Sequence, residues 1–150
     1  MAAHPASRRN RRRDRTVLPD ADVLSFALGI PYEHLLGHRG FTHSIVFALV
    51  VAAIATRVVA AREQRRAAFA FLFLCAISHP LLDALTNGGL GVALFAPFSN
   101  HRYFFPWTPI RVSPIGAGFF SARGIETLRS EAVMVWLPVI AASVLARSRR

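Results

Sequence analysis

Three apolar runs constrain the fold more than any other feature of the sequence. They cover residues 44–61, 67–85 and 132–146, and each is close to the length that a helix needs to cross a bilayer. Hydrophobic residues make up 53% of the 150-residue chain, more than a soluble domain of this size usually carries. The sequence therefore predicts an all-α integral membrane protein with about three to four transmembrane or membrane-embedded helices.

An aromatic and proline-rich segment separates the last two runs. Residues 88–115 contain four prolines and many aromatic side chains, including Tyr103 and Trp107. Prolines at this density block a helix, so we expect an irregular or β-hairpin excursion, anchored at the membrane interface by its aromatic rings.

The charges of the chain are strongly asymmetric. The formal net charge is +10 and no lysine is present, so the positive charge comes from arginines, which cluster at 8–15, 62–66 and 147–150. Such clusters can bind nucleic acid, but here each one flanks or precedes an apolar run, as the cytoplasmic flanks of membrane helices do. The bilayer is therefore the expected partner, and no nucleic-acid partner is expected.

This charge pattern also predicts domains and a topology. We expect a basic, disordered segment at 1–16, a membrane-embedded domain at 17–146 and a basic tail at 147–150. If the clusters at 62–66 and 147–150 face the cytoplasm, the polar residues that border the apolar runs meet at the exoplasmic face of a multi-pass membrane protein. The cluster at 8–15 conflicts with this arrangement. Either it is tolerated outside, or a preceding span is missing or altered.

Three short motifs carry the residues with chemical potential. "HPLLD" places His79 and Asp83 one helical turn apart, "HRGFTH" contains two histidines five residues apart, and "LPDAD" offers two carboxylates. Imidazole and carboxylate groups are the ligands expected for zinc or manganese, and two such groups of ligands could hold a two-metal site. A metal with an open position makes hydroxide from bound water at neutral pH, so hydrolysis is the expected chemistry. The candidate ligands are Asp20, Asp22, His38, His43, His79 and Asp83.

Each motif also has a simpler interpretation. His79 and Asp83 could form a hydrogen-bonded pair within the membrane or part of a proton path. Asp20 and Asp22 could cap a following helix. Arg39 could be an interfacial charge, or it could clamp a phosphate or a carboxylate beside the site.

Together, the three motifs resemble the signature blocks of the bacterial membrane-bound metal-dependent hydrolase family, often called YdjM-like. The resemblance covers about residues 17–146 and includes the later stretch "SNHRYFFPWTPIRVSPIG". It implies a small multi-helix inner-membrane protein whose metal ligands are the six residues named above, with Arg39 and Asp83 in catalytic or supporting roles. Family members usually open with a helix bearing a Thr-His or Ser-His pair, which "MAAHPASRRNRRRDRTV" replaces here, so we expect the usual first helix to be lacking.

The function expected from the sequence is hydrolysis of an ester or phosphoester, lipids included, by a metal-activated water. The cofactor is a divalent metal, with zinc first and manganese or iron as alternatives. The competing hypothesis is a non-enzymatic membrane protein, such as a transporter component or a stability factor, in which the histidine and aspartate pairs hold helices together.

Overall fold

The computed structural model describes residues 19–114 and 116–149, which are mostly helical. The helices in chain order are α1 (Leu24–Ala27), α2 (Ile45–Val59), α3 (Arg65–Ala84), α4 (Ala122–Glu131) and α5 (Leu137–Ser148). Short 3₁₀ segments cover Pro19–Val23, Phe41–His43, Arg62–Gln64 and Gly116–Phe120, and a π-helical segment, Ala132–Trp136, joins α4 to α5. The segment predicted to be disordered, 1–16, lies outside the described residues, and the domain boundaries stay a prediction.

The excursion at 88–115 is irregular. Within the described ranges no strand occurs, and Thr86 forms an isolated parallel bridge with Ile110. The β-hairpin alternative is therefore not what these residues form.

The chain divides into two compact units, with the boundary inside α3. Of the described residues, the first unit comprises 19–81 together with Val92–Arg102, and the second comprises Leu82–Gly91 together with 103–114 and 116–149. In the first unit the Ile45 amide donates to the Leu94 carbonyl at 3.0 Å. This bond ties the start of α2 to the segment that follows α3.

Helix α2 begins at a well-formed cap. Ser44 has extended backbone angles, and its hydroxyl accepts a hydrogen bond from the Phe47 amide at 3.0 Å, as an N-cap serine does. Small residues four positions apart, Ala48, Ala52 and Thr56, form the buried face of the helix. The Ser44 cap therefore sets the position of the residue directly before it, His43, relative to α2.

Helix α3 carries its apolar side chains on the outside. The helical stretch Arg62–Ala84 has 23 residues and a mean hydropathy of 1.7, and Phe71 and Leu74 are 66% and 63% exposed. By length and composition this stretch can cross a membrane, whereas α2 is apolar but shorter. An exposed apolar surface of this kind suits contact with lipid.

The second unit contains a longer helix than the sequence predicted. Ala122–Ser148 forms a 27-residue helical stretch that is also apolar and long enough to cross a membrane, whereas the apolar run predicted only 132–146. The added part, α4, is too polar to be recognised as part of a span. Pro138 follows the π-helical segment, where the wider turn accommodates a residue that has no N–H and crowds the preceding turn.

Candidate metal centre

The two aspartates of the "LPDAD" motif have different environments. Pro19–Val23 forms a 3₁₀ segment that holds both carboxylates, two residues apart. The side chain of Asp22 is only 4% exposed, whereas that of Asp20 is 44% exposed. The two carboxylates therefore cannot serve the same purpose.

The "GHRGFTH" loop folds tightly because glycine occupies its two closest approaches. A Cβ at Gly37 would lie 2.3 Å from the Pro31 carbonyl oxygen, and one at Gly40 would lie 2.2 Å from that of Leu35. Between them Arg39 is buried and adopts a φ of 58°, a left-handed conformation that is uncommon for a residue with a side chain. The loop leads through Phe41–His43 directly into the Ser44 cap of α2.

Asp22 is the centre of a buried hydrogen-bond network in this loop. Its Oδ1 lies 2.6 Å from Nδ1 of His38. Its Oδ2 accepts from the Arg39 amide at 3.1 Å and from the Thr42 hydroxyl, and lies 3.1 Å from Nδ1 of His43. Burial alone would raise the pKa of Asp22, but the hydrogen bonds from His38, His43 and Thr42 outweigh it, so the pKa lies well below its usual value.

Because an ionised carboxylate only accepts hydrogen bonds, the network defines the histidine tautomers. Nδ1 of His38 therefore carries a proton that Asp22 accepts, and Nδ1 of His43 carries one that it directs toward Asp22 and the Thr42 oxygen, each 3.1 Å away. The other ring nitrogen of His43, Nε2, then has its lone pair directed away from Asp22.

Nε2 of His43 points toward Asp20 and His79. It lies 3.7 Å from Oδ1 of Asp20, which is itself 3.2 Å from Nε2 of His79, and the two imidazole centroids are 5.1 Å apart. One ligand atom from each of these three residues lies within 4.8 Å of the others. Helix α3 continues from His79 to Asp83, one turn further, and Asp83 is the fourth candidate ligand of this group.

The electrostatics of the group favour an ionised carboxylate beside the imidazoles. Burial raises the pKa of Asp20, but the neighbouring imidazoles of His43 and His79 outweigh this effect, so the pKa lies well below its usual range. His43 is completely buried, while Asp20 is partly open to the surroundings. The group therefore has a buried side at His43 and an accessible side at Asp20.

The donor set fits a divalent transition metal. Two imidazoles with carboxylate oxygens are the ligands of catalytic zinc, manganese and iron sites. Atoms that share one cation at about 2.0–2.2 Å lie roughly 3–4 Å apart, close to the separations of this group. The His/Asp cluster could thus hold a metal, and its identity is open among these three.

The structure brings together four of the six predicted ligands. The group consists of Asp20, His43, His79 and Asp83. Asp22 and His38 are hydrogen-bonded to each other on the Nδ1 side of His43. Arg39, predicted to act in catalysis or support, contributes its backbone amide to Asp22. The assignment of roles to these residues stays a prediction.

Arg102 is a residue that the sequence reasoning missed. Its guanidinium donates to the carbonyls of Tyr32 at 2.5 Å and His38 at 2.9 Å, and at 3.2–3.3 Å to those of Arg39 and His34. It also lies 5.0 Å from the centroid of the Tyr32 ring. Burial lowers the pKa of Arg102 from its ordinary value. The only signal in the sequence is a charged residue inside the aromatic stretch "NHRYFF".

Fold and site together define a class: a mostly helical protein with membrane-length apolar helices and a histidine and aspartate cluster that could bind a metal. Residues 16–149 match the YdjM inner membrane protein family, and the chain belongs to this family. The resemblance seen in the sequence motifs is thereby confirmed.

The chain is also similar to inner membrane protein YbcI of Escherichia coli (strain K12). The two chains are 44% identical over 127 residues, which cover 81% of this chain and 72% of the relative. No solved structure matches the chain. The family and the relative support an inner-membrane location, and neither name states an enzymatic activity.

Proposed function

We propose that this protein is a metal-dependent hydrolase of the inner membrane that cleaves an ester or phosphoester, with lipids as the favoured substrate class. The observation that carries the proposal is the convergence of Asp20, His43 and His79, which come from three separated stretches of the chain. Asp83 extends the group along α3. A structural pair of polar residues would need only two of these side chains, whereas four candidate ligands suit a cation.

The residues of the group would have different roles, according to how exposed each side chain is. Asp20, His43, His79 and Asp83 would hold the cation, which when bound supplies a Lewis acid and lowers the pKa of water. His43, fully buried and fixed by Asp22, would anchor one side. Asp20 is accessible, so a substrate would approach from its side.

The arrangement of charges supports a multi-pass protein with the site at the exoplasmic face. Arg62 lies in the connection between α2 and α3, and Arg65 and Arg66 are the first residues of α3, so all three are at the ends of the helices that are remote from the site. His43 directly precedes the cap of α2, and His79 lies near the last turn of α3. With the arginines on the cytoplasmic side, the site falls on the opposite side of the membrane.

Metal analysis of the purified protein in detergent tests the metal centre. We expect about one divalent ion per chain in the unchanged protein, and its loss in His79→Ala, which removes an imidazole ligand. The control is His101→Ala, which removes an exposed histidine of the aromatic excursion and should retain the metal. A protein without stoichiometric metal, or an equal loss in both variants, would contradict the proposal and favour the structural role for the polar cluster.

Turnover is tested separately from metal binding. The metal-loaded protein in mixed micelles is assayed with chromogenic carboxylic esters and phosphodiesters, and His79→Ala is assayed beside it. We expect hydrolysis of one of the two classes by the unchanged protein and none by the variant. A metal-loaded protein without activity on either class would show a structural metal site and refute the hydrolase function.

A further inference from the structure

We propose that Asp22 is a positioning residue and not a metal ligand: it fixes His43 so that Nε2 is available to the cation. This inference rests on the proposed function, because it concerns the same metal centre. It changes the role that the "LPDAD" motif alone suggests, where Asp20 and Asp22 are equivalent candidates.

Both carboxylate oxygens of Asp22 already have hydrogen-bond donors within the protein. Oδ1 is 2.6 Å from Nδ1 of His38, while Oδ2 has the Arg39 amide, the Thr42 hydroxyl and His43 Nδ1 as partners. A carboxylate has about four acceptor positions, two on each oxygen, so the three donors around Oδ2 occupy that oxygen fully while Oδ1 has one donor. A cation at Oδ2 would displace at least one of these buried donors and leave it without its acceptor.

The side chains of Asp20 and Asp22 differ in their exposure. Asp20, whose Oδ1 faces His43 and His79, is 44% exposed, whereas Asp22 is 4% exposed and lies on the other side of the His43 ring. The His43 ring separates the two aspartates, with one nitrogen toward each. Asp22 contacts the metal group through His43.

The contact between the Asp22 carboxylate and Nδ1 of His43 matches the usual chemistry of a metal-binding imidazole. A metal-binding histidine usually donates its second N–H to a carboxylate, which fixes the tautomer and ring orientation and raises the basicity of the ligand nitrogen. Asp22 and His43 have this geometry, and His38 together with the Arg39 amide holds the carboxylate in place from the other side. The network thus orients one ligand and excludes the wrong tautomer.

Cobalt binding distinguishes a positioning residue from a ligand. Full-length protein in detergent is titrated with Co²⁺, and the visible spectrum is recorded for the unchanged chain, Asp22→Asn and the matched variant Asp20→Asn. For Asp22→Asn we expect the unchanged spectrum at saturation with a Kd raised about 10–100-fold, the usual effect of losing such a support. For Asp20→Asn we expect an altered spectrum, because the coordination itself changes.

The possible results separate this inference from the proposed function. A spectrum altered in Asp22→Asn as in Asp20→Asn, or a Kd that does not change, would overturn the positioning role while leaving the metal centre intact. Absence of Co²⁺ binding by the unchanged chain would instead overturn the proposed function.

A metal-free measurement tests the tautomer directly. Nitrogen-15 NMR of histidine in the metal-free chain reports which ring nitrogen carries the proton. We expect the Nδ1–H form of His43 in the unchanged chain and a mixture of both forms in Asp22→Ala. If Asp22→Ala does not fold, Thr42→Val removes one donor to Asp22 and should shift the mixture less. A His43 that carries its proton on Nε2 in the unchanged chain would refute the inference.

Discussion

Replacement of Arg102 by methionine is the sharpest test of how the site loop is held. The change keeps an unbranched side chain of similar length and removes the guanidinium that donates to carbonyls of residues 32–39. These carbonyls belong to the loop that supplies His38 and leads into His43. We therefore expect loss of stability and looser metal binding together.

The magnitude follows from the two shortest bonds, at 2.5 and 2.9 Å, to Tyr32 and His38. Hydrogen bonds from a charged group contribute about 1.5–3 kcal/mol each, so the two together contribute roughly 3–6 kcal/mol. Water replaces part of this at a half-buried group, and we expect the lower value, about 3 kcal/mol. At about 2–4 °C per kcal/mol for a chain of this size, Tm falls by about 6–12 °C.

The measurement is thermal unfolding in detergent, with Arg111→Met as the matched control. Arg111 makes an ion pair with Glu126 at 3.2 Å, but both side chains are more than half exposed, at 60% and 53%. Such a pair contributes about 0–1 kcal/mol, so the control should lose less than about 4 °C. Equal losses in Arg102→Met and Arg111→Met would refute the assigned role of Arg102.

Two further predictions concern the loop and the topology. Gly40→Ala should lower Tm and abolish metal binding, because the added Cβ would lie 2.2 Å from the Leu35 carbonyl oxygen. Thermal unfolding and a Co²⁺ titration measure the two effects. Gly118→Ala, whose added Cβ would have its nearest atom at 3.2 Å, should change neither Tm nor metal binding. In a Cys75→Ser background, a cysteine introduced by Glu63→Cys should react with an impermeant maleimide in inside-out vesicles and not in intact spheroplasts; labelling only in spheroplasts would reverse the orientation.

The helices were readable from the sequence where apolar runs coincide with helix limits. The runs at 44–61 and 67–85 correspond closely to α2 and α3, since Ser44 provides a cap and apolar residues fill both helices. The stretch before Ala132 was not recognised, because α4 is polar and its helix depends on continuation into the π-helical segment. Hydropathy detects a lipid-facing surface, and a helix that lacks one gives no such signal.

The site was readable only in part, for a related reason. His79 and Asp83 share a helix face because of their spacing, and that relation is local. The different surroundings of Asp20 and Asp22 depend on how the "GHRGFTH" loop folds against the 3₁₀ segment, which no spacing encodes. Arg102 was missed because it binds backbone carbonyls, and these are present at every residue.

The length of α2 has a consequence for the depth at which the proposed hydrolysis would take place. Its 15 residues span about 22 Å, whereas the hydrocarbon layer of a bilayer is about 30 Å thick. In the proposed topology, with the arginine-rich connection at the inner boundary, α2 would begin about 8 Å beneath the outer boundary, and the membrane would thin or dip around it. The ester linkages of a phospholipid lie just under the headgroups, so a lipid in such a dimple would bring its scissile bond to the depth of His43 without leaving the leaflet.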